Sequence, residues 1–211
     1  MSNWPKIRLF LSKKSPQGLK KLYRTLVWLT RKSVNSPAIP QDLLDNCVVV
    51  KDRHLLIDRL PKNAVVAEVG VWKGEFSKQI LALAVPKHLV LVDIDLSMAR
   101  DALPGDFAGE MIEECSADAA SRFKEEHFDW VYVDAGHDYS SVKKDIEAWA
   151  SRVKAGGFLV FNDFAHIDPA LGRYGVHRAV SEFVVQNRWS VAYWALNTAG
   201  LYDIAIVKPR G

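Results

Sequence analysis

Two cysteines, Cys47 and Cys115, are all that the 211 residues contain, and they lie far apart without metal-ligand spacing. A disulfide framework and a cysteine-bound zinc are therefore excluded, and a reducing, cytoplasmic location is expected. No apolar stretch approaches the roughly 20 residues that cross a bilayer, which excludes an integral membrane protein. Nothing at the N-terminus joins a charged start, a long apolar run and a small-residue cleavage site, so no secretory leader is expected. Internal repeats and low-complexity tracts are absent too. So is any Asp/Asn-Pro-Pro-aromatic string, and no specific nucleic-acid partner is expected.

The most informative lack is of acid. Residues 1–40 hold nine Lys and Arg and no Asp or Glu, whereas the remainder holds 19 basic and 25 acidic residues. Leu19, Leu22, Tyr23, Leu26 and Leu29 share one helical stripe, with most of the neighbouring charges off it. Such a basic amphipathic segment packs its stripe on the domain or on a second subunit, as in a homo-oligomer, lies on an anionic membrane surface through residues 1–35, or meets nucleic acid through phosphate attraction. Ser36-Pro37-Ala38-Ile39-Pro40 reads as a linker, because two prolines discourage helix. The chain thus divides into an extension, 1–40, and one domain, 41–211. At 49% hydrophobic content that domain has material for a full α/β core.

What is present beyond the linker is alternation. A helical stretch around His54 to Leu60 precedes a strand over Ala64 to Val69, a helix over Glu75 to Ala84 and a strand over Leu89 to Asp93. Ser97 to Leu103 reads as helix, Glu110 to Glu114 as strand, Ala117 to Glu125 as helix and Trp130 to Asp134 as strand. Val142, Ile146, Trp149, Ala150 and Val153 form a helix face that Gly156-Gly157 ends, before a fifth strand over Phe158 to Phe161 and a helix from about Val176 to Val185. Two β-rich runs close the domain, Trp189 to Leu196 and Tyr202 to Val207, and four residues between them allow only an antiparallel hairpin. The pattern predicts a Rossmann-like, doubly wound, mostly parallel sheet with a terminal antiparallel hairpin.

The turn after the first of the alternating strands carries the chemistry. In Val69-Gly70-Val71-Trp72-Lys73-Gly74-Glu75, glycines stand where the backbone curls tightly or approaches a ligand, and a helix opens behind them. The spacing is not the G-x-G-x-x-G of dinucleotide folds. Glu68-x-Gly70-x-x-x-Gly74 resembles motif I of the class I S-adenosylmethionine-dependent methyltransferases. An acid at the end of the next strand can accept both ribose hydroxyls of an adenosine; Asp93 fits best, with Asp95 the competing choice. Trp72 either covers the methionine moiety or fills space. Ser116 and Asp118 follow the third strand, where they read the adenine or simply cap a helix.

Ligands of doubly wound sheets bind beyond the carboxyl ends of the strands. There the chain places Asp134-Ala135-Gly136-His137-Asp138-Tyr139 and Asn162-Asp163-Phe164-Ala165-His166. Two carboxylates aimed at one small volume call for a shared proton or cation, and oxygen ligands suit magnesium, calcium or manganese. These strings, with Gly175-Val176-His177-Arg178 beyond them, resemble a bacterial family of small methyltransferases similar to the macrocin and catechol O-methyltransferases, over roughly residues 50 to 207. The resemblance implies S-adenosylmethionine as cofactor, held by Glu68, Gly70, Trp72, Gly74, Asp93, Ser116 and Asp134. It implies a divalent ion such as Mg2+ at Asp134, Asn162 and Asp163, and His137 as the base near the acceptor hydroxyl of a small molecule or sugar. The Asn-Asp order reverses the family's Asp-Asn pair, which leaves open which of the two is a ligand, or whether metal binds at all.

Overall fold

The structure is a computed structural model that describes residues 36–105, 107–168, 172–197 and 202–210. The basic stripe expected within 1–35 lies outside them. Strands β1 (Val48–Val50), β2 (Val65–Val69), β3 (His88–Asp93), β4 (Glu110–Glu113), β5 (Phe128–Val133), β6 (Val153–Phe161), β9 (Ser190–Ala195) and β10 (Asp203–Val207) form one sheet, and β7 (Ile167–Asp168) and β8 (Gly172–Arg173) a small ribbon. The helices are α1 (Arg53–Arg59), α2 (Glu75–Ala84), α3 (Ser97–Ala102), α4 (Ser116–Ser121), α5 (Tyr139–Trp149) and α6 (Val176–Asn187).

Sheet order is β1-β9-β10-β6-β5-β2-β3-β4. Its pairings are parallel except those of β10, which runs antiparallel to both β6 and β9. The expected doubly wound sheet and terminal hairpin are both present. Burial on two faces explains the near-continuous apolar runs of the central strands. Ala67, Val69, Val131 and Val133 face one core with α4, α5 and α6, including Trp149 and Val180. Val66, Trp130, Tyr132 and Val160 face the other, with Leu56 of α1, Ile80 of α2 and Ala99 of α3.

The chain winds outward from β2 through β3 to β4, then returns to lay β5 beside β2 on its other side. That reversal opens a crevice at the carboxyl ends of β2 and β5, where open α/β sheets take their ligands.

One stretch departs from the expectation. Val153 and Gly156-Gly157 do not belong to the end of a helix; α5 stops at Trp149, and β6 runs through both glycines. The pair serves a strand irregularity, as the register of β5 against β6 shifts between Phe128 and Trp130. Gly156 has φ +75°, and a Cβ on Gly157 would lie 2.6 Å from the Asp129 carbonyl oxygen. A glycine pair marks a kinked strand as readily as a helix stop.

Candidate active site

Gly70 leaves β2 with φ +91° and donates its N-H to the Val92 carbonyl over 2.8 Å. A Cβ there would lie 2.2 Å from the carbonyl oxygen of Asp134, so the turn after β2 and the end of β5 touch backbone to backbone. Asp93, at the end of β3, fixes the same turn: one oxygen, Oδ2, accepts from Val71 N at 2.7 Å and Trp72 N at 2.8 Å. Trp72 has a positive φ and stays 70% exposed, with the Lys73 ammonium 4.5 Å from its ring centroid.

These elements enclose a cleft of about 310 Å3. Gly70, Trp72, Asp93, Ser116 and Asp134 line it, so five expected cofactor residues from four strand ends converge on one volume. Between the two candidate acids the geometry distinguishes sharply. Asp93 lines the cleft, whereas Asp95 is exposed and accepts from Ser97 N at 2.9 Å ahead of α3.

Gly74 and Glu68 stand outside that lining. Gly74 is the left-handed residue that starts α2. Glu68 is 1% exposed and faces the second core, where Ser77 donates to it over 2.5 Å. Burial raises its carboxyl to about 8, against the downward pull of the Ser77 bond. Nearby on the same face, the Tyr132 hydroxyl donates to Asp203 over 2.8 Å, and burial pushes Asp203 up to about 7. The Arg53 guanidinium, 4.5 Å from the Phe76 ring centroid, supplies the compensating positive charge toward Tyr132, Asp203 and Asp134.

At the cleft's end β5 and β6 deliver a second polar group. Asn162 donates from its side-chain amide to Asp134 Oδ2 over 2.7 Å. His137 Nε2 lies 3.4 Å from Asp134 Oδ1 and 3.4 Å from Asp163 Oδ2, ion-pair contacts too long to be good hydrogen bonds. Burial opposes protonation of this imidazole, but the contact with Asp134 and the charges of Asp134 and Asp163 prevail and raise its pKa. Asp163 is raised as well, by burial first, with the His137 charge pulling it down. Asp163 holds φ +57°, a backbone state uncommon outside glycine and found at functional sites. The helix that follows is capped by Asp138, not by His137: Asp138 accepts from Ser140 N and Ser141 N, and the two serines hold its carboxyl down at about 2. The Tyr174 ring packs on His137 with centroids 4.8 Å apart, and Gly175 N donates to the His137 carbonyl over 2.8 Å.

The metal expectation gains no support from this geometry. Among the described residues no group of three or more His, Cys, Asp or Glu side chains is arranged to hold an ion. Octahedral magnesium needs oxygens at about 2.0–2.1 Å, whereas the nitrogen of His137 stands between the two carboxylates. Asn162 presents an N-H to Asp134, not an oxygen to an ion.

The comparisons bear on the fold that carries this cleft. A family profile described as a methyltransferase domain matches residues 67–164, the span from β2 to just past β6. The N-methyltransferase NodS from Bradyrhizobium japonicum superposes with a TM-score of 0.56 at 16% identity, covering 74% of this chain and 94% of that one. The chain has the class I methyltransferase fold. An O-methyltransferase from Bacillus cereus in complex with SAH gives a TM-score of 0.57 at 15% identity, over 94% of each chain. An O-methyltransferase family protein from Burkholderia thailandensis gives 0.59 at 16%, over 75% of this chain and 56% of that one. No curated protein sequence matches.

Some of the site was not foreseen. Ile94 lines the cleft while 76% exposed, and Ala135 and Gly136 continue its floor after Asp134. Their positions between or after the expected acids were the available signal. Arg53 gave none, since an arginine opening a short helix is unremarkable until the sheet places it beside Tyr132. No helix among the described residues is long and apolar enough to cross a membrane.

Proposed function

We propose that the cleft binds S-adenosylmethionine and that the enzyme moves its methyl group to a hydroxyl of a small molecule or sugar, with His137 as base. The observation that carries this reading is the shared position of Asp134, which lines the cleft and lies 3.4 Å from His137 Nε2. The residues fit the cofactor: Gly70 lets the turn after β2 lie against the Asp134 backbone beside the cleft, and cleft walls from four strands bring together an acid for the ribose, Asp93, and a hydroxyl for the adenine, Ser116. When bound, that group supplies an electrophilic methyl on a sulfonium.

An alcohol must lose its proton as it attacks, and an amine with a free lone pair need not. His137 is suited to take that proton. Asp134 and Asp163 flank Nε2, hold the ring and stabilise the imidazolium that forms, which is why the pKa is raised. The Tyr174 ring packs against the imidazole. Positioning supplies the rest, by holding the acceptor oxygen in line with the transferred carbon. The residues do not fit a divalent ion, and no step needs one.

The test is methyl transfer to a panel of phenols, sugars and amines, read as a mass gain on the acceptor, for wild type and His137→Ala. We expect hydroxyl acceptors to be methylated and the variant to lose about 10²- to 10⁴-fold in turnover, with affinity for S-adenosylhomocysteine kept. A variant that methylates hydroxyls at the wild-type rate, or a wild type that methylates amines alone, sinks the reading.

A further inference from the structure

Asn162 lies one residue beyond β6 and is 9% exposed. Its backbone N-H donates to the Val133 carbonyl over 3.0 Å, and the N-H of Asp134 donates to the Val69 carbonyl over 2.7 Å, so the parallel ladder runs on past the strand ends and anchors both residues. Tyr132 and Val160 face the second core, and Asp134 and Asn162, two positions further along their strands, continue that face. Neighbouring strands thus bring the two side chains together, with the Asn162 amide nitrogen 2.7 Å from Asp134 Oδ2.

An ionised carboxylate only accepts, so the amide turns its N-H to Asp134 and not its oxygen. The bond is short and charge-assisted, and it fixes the rotation of the carboxylate. With Oδ2 engaged, the oxygen that faces His137 is Oδ1, 3.4 Å from Nε2. The other acid lacks such a hold: Asp163 Oδ1 is buried and has no hydrogen-bond partner among the described residues. Burying an amide is costly without a partner, and here the partner is the acid that faces the base.

We propose that Asn162 is a positioning residue for the methyl transfer, acting through Asp134: by holding Oδ2 it presents Oδ1 to His137 and fixes the direction in which the imidazole meets the acceptor. This rests on the reading of His137 as base and adds to it the residue that aims it. A carboxylate free to rotate would hold the ring in several orientations, and misplacing a reacting group by about 1 Å can cost about 10²-fold in rate.

The experiment measures kcat, acceptor KM and S-adenosylhomocysteine affinity of the full chain, using the hydroxyl compound of the panel that wild type methylates fastest. It compares wild type, Asn162→Ala, His137→Ala and the double variant. Asn162→Ala is expected to lower kcat by about 10- to 100-fold while KM and cofactor affinity stay within about threefold. In the His137→Ala background the second substitution should cost less than about twofold, because no base remains to be aimed. Asn162→Leu carries the test if the alanine variant does not fold: it fills the same space without donating, and kcat should fall as far. Wild-type kcat in a folded Asn162 variant overturns the proposal. So do losses that multiply in the double variant, and a loss confined to KM or cofactor affinity, the signature of mere packing. A His137→Ala enzyme that turns over at the wild-type rate, or a wild type that methylates no hydroxyl, instead overturns the base reading, and this role of Asn162 with it.

Discussion

His137 and Asp163 meet across the ends of β5 and β6, Nε2 to Oδ2 at 3.4 Å, although 26 positions separate them in the chain. The contact ties the proposed base to a residue on another strand. Removing the charge in Asp163→Asn should lower the His137 pKa, because a carboxylate that favours the imidazolium is gone. The proposed base works only when neutral, so on that reading the acid limb of the pH-rate profile should move to lower pH, by about one unit. NMR titration of the His137 ring proton reads the same shift without an acceptor. An acid limb that stays in place would detach Asp163 from the base.

Gly70→Ala addresses the cleft itself. The new Cβ would lie 2.2 Å from the Asp134 carbonyl oxygen at a backbone φ of +91°. Strain of this kind costs roughly 1–3 kcal/mol, and relieving it must push β2 and β5 apart. Thermal melts should fall by several degrees, and S-adenosylhomocysteine affinity should drop about tenfold or more. Wild-type affinity in a folded variant would mean that the cofactor does not lie against this turn.

Chelation separates the two accounts of the carboxylates. With the imidazole between Asp134 and Asp163, excess EDTA should leave both turnover and S-adenosylhomocysteine affinity within about twofold of their starting values, a change under 1 kcal/mol. Turnover that collapses with EDTA and returns with magnesium would restore the ion and require His137 to swing aside.

Glu68 gives a prediction in stability. Its folded pKa of about 8 lies above the ordinary glutamate value, so over pH 4.5 to 8 the folded state holds a proton that the unfolded state has released. Stability contributed by this group is therefore fully present at low pH and declines as pH rises through the window. Asp203, raised to about 7, adds to the decline from lower pH. Glu68→Gln keeps a partner for Ser77 but cannot ionise, so its urea-unfolding free energy should depend less on pH and exceed wild type at pH 8.5 by a kcal/mol or more. Parallel pH profiles for the two proteins would contradict this.

Much of the sheet could be read in advance because the central strands and helices are long and their apolar spacing is regular. Glu75–Ala84 was legible to the residue, since Pro86 closes the helix that Gly74 opens. Val48–Val50 was not, because three valines behind a cysteine carry no period. The glycine pair in β6 misled, as its meaning depends on a carbonyl of β5. The site divides in the same way. Gly70 follows β2, Asp93 ends β3 and Ser116 lies just beyond β4, and local order places them at the crevice. The link from Asn162 to Asp134, the imidazole between two acids and the hold of α5 on Ser116 are relations between distant segments, and only strand pairing brings them together.

Of the eight main-sheet strands, β10 comes latest in sequence yet lies in the interior, between β9 and β6. As the ribosome emits this chain, the two portions of the sheet remain unjoined until Asp203–Val207 arrive, each offering an unpaired edge to neighbouring molecules. Nascent protein should therefore lean on chaperones until its final strand slots home, and cleavage before Asp203 would leave two unsatisfied borders in place of a trimmed tail.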